Sequence, residues 1–371
     1  MLKKIQVTNF KSFKDTFVFN LGEVHQYTFN QECIKNGIVN KGIIYGMNGS
    51  GKSNIGLAIF DLIGHTTNKY DGRELFLRHY VYAGLPDKEV SFEYTFEFNG
   101  SSLIYSYSKK DYDTLIKESL SIDELECLSI NRNHSNVAVI NLPGAETLNK
   151  RIDNSALSII SYIRSNANLD KRKKINKIFY EWLDFLDGML FFRTLKENIF
   201  IGHSSLPNDS IPLRIIKNKK VKDFEMFLNA VGIECVLTHD EKNIFWDIDG
   251  YHVPFYEIAS SGTEALATFY YWFLFLSNNS VSFLFIDEFD AFFHHDLTYA
   301  IVAMLKKKEN LQVLLTTHST SIMTNDLLRP DCYFVIDKQH ISSLPDLTFK
   351  ELRQAHNLEK MYRGEAFRGD T

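Results

Sequence analysis

The stretch Gly46-Met47-Asn48-Gly49-Ser50-Gly51-Lys52-Ser53 constrains the fold more than any other part of the chain. It fits G-x-x-x-x-G-K-[ST], the phosphate-binding P-loop, a motif that needs a strand before it and a helix after it. Both flanks comply. Lys41-Gly42-Ile43-Ile44-Tyr45 is short and apolar, as a buried strand would be, and Ile55, Ala58, Ile59, Leu62 and Ile63 recur at i, i+3, i+4, i+7, i+8, the mark of an amphipathic helix. Gly46, Gly49 and Gly51 let successive N–H groups turn toward one anion, and the helix adds its positive N-terminal end. Lys52 is placed to reach β- and γ-phosphates and the Ser53 hydroxyl to bind Mg²⁺; Asn48, Ser50 and Asn54 complete the binding stretch. The competing reading is a chance Gly-rich turn. Average residue usage yields the pattern by accident in roughly one chain in a hundred of this length, and the matching flanks disfavour it further.

A second stretch supplies carboxylates. Val281-Ser282-Phe283-Leu284-Phe285-Ile286-Asp287-Glu288 is an apolar run ending in two acids and reads as a buried parallel strand. Its acids emerge at the carboxyl end, where α/β sheets bind ligands. This is the Walker B pattern: Asp287 is expected to hold Mg²⁺, mostly through water, and Glu288 to polarise the water that attacks a γ-phosphate. A hydrophobic run before D-E is a weak signal alone and a strong one downstream of a P-loop.

Composition narrows the remaining classes. The 371 residues suffice for a large core and two or three subdomains, and 44% hydrophobic with 23% charged residues is an ordinary soluble balance. A net charge of −5 gives no overall basic field for nucleic acid or acidic lipid. Cys33, Cys127, Cys235 and Cys332 are far apart and form no C-x-x-C, which disfavours a zinc site or disulfide scaffold and suits a reducing, cytoplasmic setting. Met1 to Gln6 lacks the apolar core of a signal peptide. The longest apolar run, Ala265 to Leu276, is too short to span a bilayer, so no membrane partner is expected.

Along the chain, Lys4-Ile5-Gln6-Val7 and Thr16-Phe17-Val18-Phe19 alternate as two β-segments around Asn9-Phe10-Lys11-Ser12-Phe13. Ser91 to Phe98, the Asn99-Gly100 turn and Leu103 to Tyr107 read as a hairpin. Residues 155–200 are helical in pattern, with stripes at Ala156, Ile159, Ile160, Ile163 and at Ile175, Ile178, Phe179, Trp182, Leu183, Phe185, Leu186. Lys171-Arg172-Lys173-Lys174 with Lys177 is basic: a solvated helix face, or a contact for nucleic-acid phosphates. Lys217, Lys219, Lys220 and Lys222 form a second such patch, and residues 202–212 (Gly202, Pro207, Asn208, Pro212) are loop-like.

The Asn9–Phe13 turn, the P-loop and Walker B together resemble the ABC-type ATPases of the SMC, RecF and OLD class. Three further features are read through that resemblance. His318, which ends the apolar run Leu311 to Thr317, resembles the switch histidine that touches the γ-phosphate. Ala259-Ser260-Ser261-Gly262-Thr263 resembles the signature L-S-G-G-Q, with Ser261 for the first Gly and Thr263 for Gln; Ser260 and Gly262 are then the residues that meet ATP held by another subunit. A plain helix N-cap by Ser261 or Thr263 is the rival reading. Asp287 to His295 resembles the D-E-x-x-x-x-x-H stretch of SMC- and OLD-like heads, with His294 and His295 read as packing or interface residues because neighbours on a helix point about 100° apart. The resemblance departs at one point: no Q-loop is evident between Ile63 and Val90, which leaves the water-positioning group unassigned.

The resemblance implies an α/β fold: an ABC-type P-loop ATPase head, with a mixed central sheet plus an antiparallel β-layer and an inserted helical subdomain. Residues 1–150 form the N-terminal lobe, 151–250 the helical insert and connecting segment, and 251–371 the C-terminal lobe. It implies ATP and Mg²⁺, with Lys52, Glu288 and His318 catalytic and Ser53 and Asp287 at the metal. It also implies a head-to-head homo-oligomer around ATP. The compact form, without a coiled-coil arm or a Toprim nuclease, is closest to OLD-like ATPases of bacterial anti-phage operons, with a separate nuclease or toxin as effector. The tail from Phe349 to Gly364 also resembles the end of those proteins. A RecF-like DNA-binding ATPase using the Lys171–Lys177 patch is the alternative.

Overall fold

The computed structural model describes residues 1–67, 72–193, 200–202, 210–276, 280–291 and 293–367. β1 (Leu2–Thr8) and β2 (Phe17–Asn20) pair around the Asn9–Phe13 turn, and β3 (Ile34–Lys35) and β4 (Ile38–Val39) form a minor ribbon. β5 (Lys41–Tyr45), the P-loop and α1 (Lys52–Thr67) follow, then α2 (Arg73–Leu77). Five strands come next: β6 (Val90–Phe98), β7 (Ser101–Asp111), β8 (Thr114–Ile122), β9 (Leu125–Asn131) and β10 (Val139–Ile140). α3 (Ile159–Asn166) and α4 (Lys174–Asp187) lead to β11 (Met189–Arg193) and β12 (Phe200–Gly202). Beyond them lie α5 (Ile211–Lys217), α6 (Val221–Ala230), β13 (Leu237–His239), β14 (Ile244–Ile248), β15 (Tyr251–Pro254), α7 (Phe255–Ile258) and α8 (Ser261–Leu276). The chain continues through β16 (Phe283–Asp287), α9 (His295–Lys306), β17 (Gln312–Thr317), β18 (Tyr333–Ile336), β19 (Ile341–Ser343) and α10 (Leu358–Arg363).

Two seven-stranded sheets carry the architecture. The central sheet runs β12-β11-β16-β17-β5-β18-β19, with parallel pairings from β11 to β18 and an antiparallel strand at each edge. The second runs β10-β9-β8-β7-β6-β1-β2 and is antiparallel throughout. Its hairpin turn at Asn99-Gly100 has positive φ at both residues, 50° and 77°, as the sequence pair predicts. Gln312 ties the sheets together. Its amide accepts from Leu2 N at 3.0 Å and donates to the carbonyls of Leu2 (2.8 Å) and Val39 (3.0 Å), standing in for a missing strand partner.

Helix α1 is sandwiched between these sheets. The sequence stripe predicts an amphipathic helix, but burial extends all round it from Ile55 to Thr66. One side lies on the central sheet so closely that a Cβ on Gly56 would stand 2.6 Å from the Phe285 ring. The other side meets β6 and β7 through buried polar groups. Lys109 Nζ donates to Asp61 Oδ2 at 2.8 Å, and Tyr107 Oη donates to the same oxygen at 2.8 Å. The Lys109 ammonium also lies 4.9 Å, 5.4 Å and 5.6 Å from the ring centroids of Tyr112, Tyr107 and Tyr80. Tyr94 Oη donates to the Ala58 carbonyl at 2.6 Å. Further along, His65 Nε2 lies 2.9 Å from Tyr105 Oη, which donates to Glu118; that carboxylate accepts the N–H of Ile159 at 2.7 Å, in the first turn of α3, which Ser158 caps.

Two sequence expectations change. The helical range expected over 155–200 stops at Asp187, and Met189–Arg193 is strand β11 beside β16. A continuous apolar run such as Met189-Leu190-Phe191-Phe192 suits a buried strand as well as a helix, and period alone does not separate them. The Trp182 and Phe185 rings of α4 pack on Phe96 of β6. A second helical cluster, α5, α6 and α8, packs with the small sheet β13-β14-β15, and Ser260 stands just before α8. Of the stretch 202–212, residues 203–209, with Pro207 and Asn208, lie outside the described residues; Gly202 ends β12 at φ +112° and Pro212 opens α5.

The Asp61–Lys109 pair gives a test of how the layers hold together. Lys109→Met strands a buried carboxylate, so it is expected to lower unfolding free energy by about 3–5 kcal/mol in urea titration. Adding Asp61→Leu removes the unpaired charge and is expected to restore much of that loss.

Candidate functional site

The central sheet brings three motifs to one edge. β17 lies between β16 and β5, with Ile286 opposite Leu315 and Thr317 opposite Tyr45. The strands are parallel, so Gly46, Asp287 and His318 emerge at their shared carboxyl ends. Apolar side chains fill β5, β16 and β17 on both faces, which is why the sequence shows continuous apolar runs there and not alternation.

The P-loop backbone needs its glycines for different reasons. Gly49 and Gly51 have φ of +77° and +109°, the region that L side chains rarely adopt. At Gly46 a Cβ would stand 2.5 Å from Ser50 Oγ and 2.7 Å from the Ile336 carbonyl oxygen. Lys52 Nζ donates to the carbonyls of Gly46 (2.7 Å) and Met47 (3.1 Å) and lies 3.4 Å from His318 Nδ1. Burial lowers the Lys52 ammonium from its ordinary range, against the opposing pull of Asp287, Glu288 and Asp290. The N-terminal turn backs this loop: Asn54 Nδ2 donates to Ser12 Oγ at 2.7 Å, and the Phe13 ring lies where a Cβ on Gly51 would come within 3.0 Å. Asn54 thus faces the turn. Met47, at the loop's apex, is 82% exposed.

Asp287 is fully buried and accepts from Thr316 Oγ1 at 2.8 Å. The same hydroxyl oxygen accepts the backbone N–H of Glu288 at 2.7 Å. Glu288 has φ +50°, an uncommon conformation for a non-glycine residue and one that clusters at functional sites. Asp290 accepts from Thr317 Oγ1 at 2.6 Å; burial raises its carboxyl, offset by that hydroxyl and by His318 nearby. Motif reading does not reach Thr316, Thr317 and Asp290, yet the sequence carries a signal for them: two hydroxyls end an otherwise apolar strand, where a buried Thr needs a polar partner.

The donor set suits a phosphate with a divalent cation. A hydroxyl at Ser53, a buried carboxylate at Asp287, glycine-permitted N–H groups and a lysine held by two main-chain oxygens beside His318 are chemically matched to it. Ser50 Oγ is buried without a hydrogen-bond partner, a polar atom that an anion in the loop would satisfy. Among the described residues no group of three or more His, Cys, Asp and Glu could hold a metal by itself. His294 and His295 do not form one; His295 Nδ1 lies 2.9 Å from Ser321 Oγ and the His294 carbonyl accepts from Thr298.

The signature-like stretch opens α8. Ser260, not Ser261 or Thr263, caps it: Thr263 N donates to Ser260 Oγ at 3.2 Å, and the two hydroxyls are 3.0 Å apart. Ser260 is exposed and Gly262 is partly so, beside exposed Tyr256 and Ile258. The segment between α1 and β6, which carries no Q-loop glutamine, is tied to the N-terminal turn through Lys11 Nζ donating to the carbonyls of Leu75 (2.8 Å) and Arg78 (2.9 Å). The basic run at 171–177 is largely paired: Arg172 with Asp170, Lys174 with Asp123, and Lys171 over the Tyr180 ring. In the second patch, Lys220 and Lys222 pair with Asp223 and Glu225. No helix of the described residues is long and apolar enough to cross a membrane.

Comparison with known proteins follows this geometry. The model of the family described as "AAA domain, putative AbiEii toxin, Type IV TA system" matches residues 43–324. The SMC head domain from Thermotoga maritima is 14% identical, with 92% of this chain and 98% of that one covered and a TM-score of 0.43. An Smc head domain with an extended coiled coil, bound to the C-terminal domain of ScpA derived from Pyrococcus furiosus, is 14% identical, with 92% and 96% covered and a TM-score of 0.43. The recombination mediator protein RecF with ATP is 16% identical, with 93% and 99% covered and a TM-score of 0.39. No curated protein sequence matches the chain.

Thr316 orients the two acids without reaching solvent, so its removal separates binding from chemistry. Thr316→Val keeps the shape and loses the hydroxyl. The expected outcome is nucleotide binding close to wild type by fluorescence titration, with single-turnover hydrolysis about 10–100-fold slower.

Proposed function

Because the chain belongs to the AAA domain family described as "putative AbiEii toxin, Type IV TA system", a class of ABC-type P-loop ATPases, we propose that it binds and hydrolyses ATP, closing head-to-head with a second copy to do so. The observation that carries this reading is the convergence of Gly46–Ser53, Asp287-Glu288 and His318 at the carboxyl ends of adjacent β5, β16 and β17. On this reading Lys52 leaves the carbonyls of Gly46 and Met47 and turns to the β- and γ-phosphates. The backbone N–H groups of the loop and the start of α1 hold the phosphate oxygens. Ser53 and Asp287 would hold Mg²⁺, which when bound neutralises phosphate charge. Glu288 takes the proton of the attacking water, with Thr316 fixing the backbone that presents it. His318, 3.4 Å from Lys52 Nζ, hydrogen-bonds the γ-phosphate.

The second copy completes the site. Ser260 and Gly262 stand on an exposed helix start, where α8 offers N–H groups and a positive dipole to an anion outside its own chain. Exposed Met47, Tyr256 and Ile258 beside the two motifs support an interface there. ATP then acts as the bond between copies and hydrolysis as its release. The output is control of a separate effector, a nuclease or toxin, in bacterial anti-phage defence; the family's own description, which names a toxin–antitoxin system, supports a toxin-linked role. The pairing of the basic runs with neighbouring acids supports solvated faces over a DNA contact.

Glu288→Gln keeps the shape and removes the base. It is expected to lower kcat by about 10²-fold or more while ATP still binds. With ATP and Mg²⁺, mass measurement is expected to give twice the 43.0 kDa chain mass. Turnover equal to wild type, or a monomer under those conditions, would count against the proposal.

A further inference from the structure

The loop that carries His318 is gripped from behind by the C-terminal segment. We propose that Glu359 and Thr320 form a latch that positions His318, which makes α10 part of the hydrolytic machinery; this rests on the role given above to His318. Thr320, two residues beyond the histidine, donates from Oγ1 to Glu359 Oε1 at 3.0 Å. Arg363, one turn further along α10, pairs with Glu359 at 2.8 Å and donates to the Thr320 hydroxyl at 3.2 Å. Thr320, Glu359 and Arg363 thus form a closed triangle, each partner holding the other two.

The remaining anchors give the latch a fixed base. Asn325 is 3% exposed, and its Nδ2 donates to the carbonyls of Arg353, Gln354 and His356 at 3.1–3.2 Å, which fastens the tail to the far end of the same loop. Leu358 is fully buried, and the Tyr362 ring lies 6.4 Å from Tyr45, the last residue of the strand that feeds the P-loop. Tyr333 Oη donates to the Ile322 and Thr324 carbonyls, so β18 holds the loop from the sheet side. On the near side Asp290 binds Thr317, and Lys52 lies beside His318. Between the base and the histidine, Thr320 is the link on the tail side, held by Glu359 and Arg363.

The latch is also separable from the core. A polar cavity of about 520 Å³ opens between α9, the loop and the tail, lined by His295, Ser321, Asn325, His356 and Glu359 among others. Glu359 faces this open space and is held by polar contacts, so it can be altered without making an apolar void. Glu359 is half-buried and its charge partner Arg363 is exposed, so the ion pair contributes little to global stability. Through Thr320, two residues from His318, it has leverage on geometry, where a small displacement of a reacting group costs far more rate than stability.

The test is a double-mutant cycle on the full chain, read as steady-state ATP hydrolysis together with thermal melting. Thr320→Val and Glu359→Ala are each expected to lower kcat about tenfold with KM and Tm unchanged. The double variant is expected to be no slower than Thr320→Val alone, because the hydroxyl that Glu359 holds is then already gone. Thr320→Ser, which keeps the hydroxyl, is expected to restore the wild-type rate. In a His318→Ala background neither change is expected to slow hydrolysis further. If His318→Ala slows hydrolysis while Thr320→Val and Glu359→Ala do not, or if they slow it equally in the His318→Ala background, the latch is overturned and the role of His318 stands. If His318→Ala leaves kcat unchanged, the role of His318 falls and the latch falls with it.

Discussion

The hydrogen bonding of β17 between β5 and β16 is the constraint on which the site depends. The three motifs are far apart in the chain, at residues 46–53, 287–288 and 318, yet parallel pairing fixes their strand ends side by side. A slip of register by one residue would turn Thr316 and Thr317 to opposite faces. Thr316 would then lose Asp287, and Thr317 would lose Asp290. Apolar packing on both faces of the sheet opposes such a slip. The chemistry is therefore positioned by backbone pairing and refined by two threonine hydroxyls.

α1 converts that local order into a global one. It starts at the P-loop and then runs between two sheets, so there is no solvent-facing side to absorb error. Where it meets the central sheet the solution is apolar and close, with Gly56 allowing the rings of Phe191 and Phe285 to approach. Where it meets the antiparallel layer the solution is polar: Asp61 with Lys109 and Tyr107, then His65 with Tyr105 and Glu118. Polar contacts of this kind are directional, so they specify one angle between helix and layer where apolar contacts permit several. The burial that lowers His65 below its usual range keeps it neutral in that chain of contacts.

Where local rules and tertiary demands coincide, the sequence was legible. Asn99-Gly100 makes the predicted hairpin because positive φ is an intrinsic preference of that pair. The P-loop lies between its strand and helix because its glycines permit a backbone that few other residues tolerate. The sequence is ambiguous where burial overrides period. The apolar run Met189 to Phe192 carries no phase, so it suits helix and strand alike, and the stripe in α1 shows only one buried face because the covering of its second side comes from strands β6 and β7, far along the chain. Which hydroxyl caps α8 is not legible either, since Ser260, Ser261 and Thr263 have similar capping chemistry and only the fold selects Ser260 among them.

By itself the sequence determined which chemical groups are present and in what local frame: a phosphate loop, a strand ending in two acids, a strand ending in threonines and a histidine, and a helix start rich in hydroxyls. Those follow from short-range sterics, capping and hydrophobic runs, which act within a few residues. Only the tertiary structure decided that Thr316 bridges Asp287 and Glu288, that Ser12 and Phe13 brace the P-loop, and that a tail more than 30 residues beyond His318 grips the loop that carries it. Such contacts join residues whose separation along the chain carries no periodic signal, and they exist because the sheet order brings their strands together.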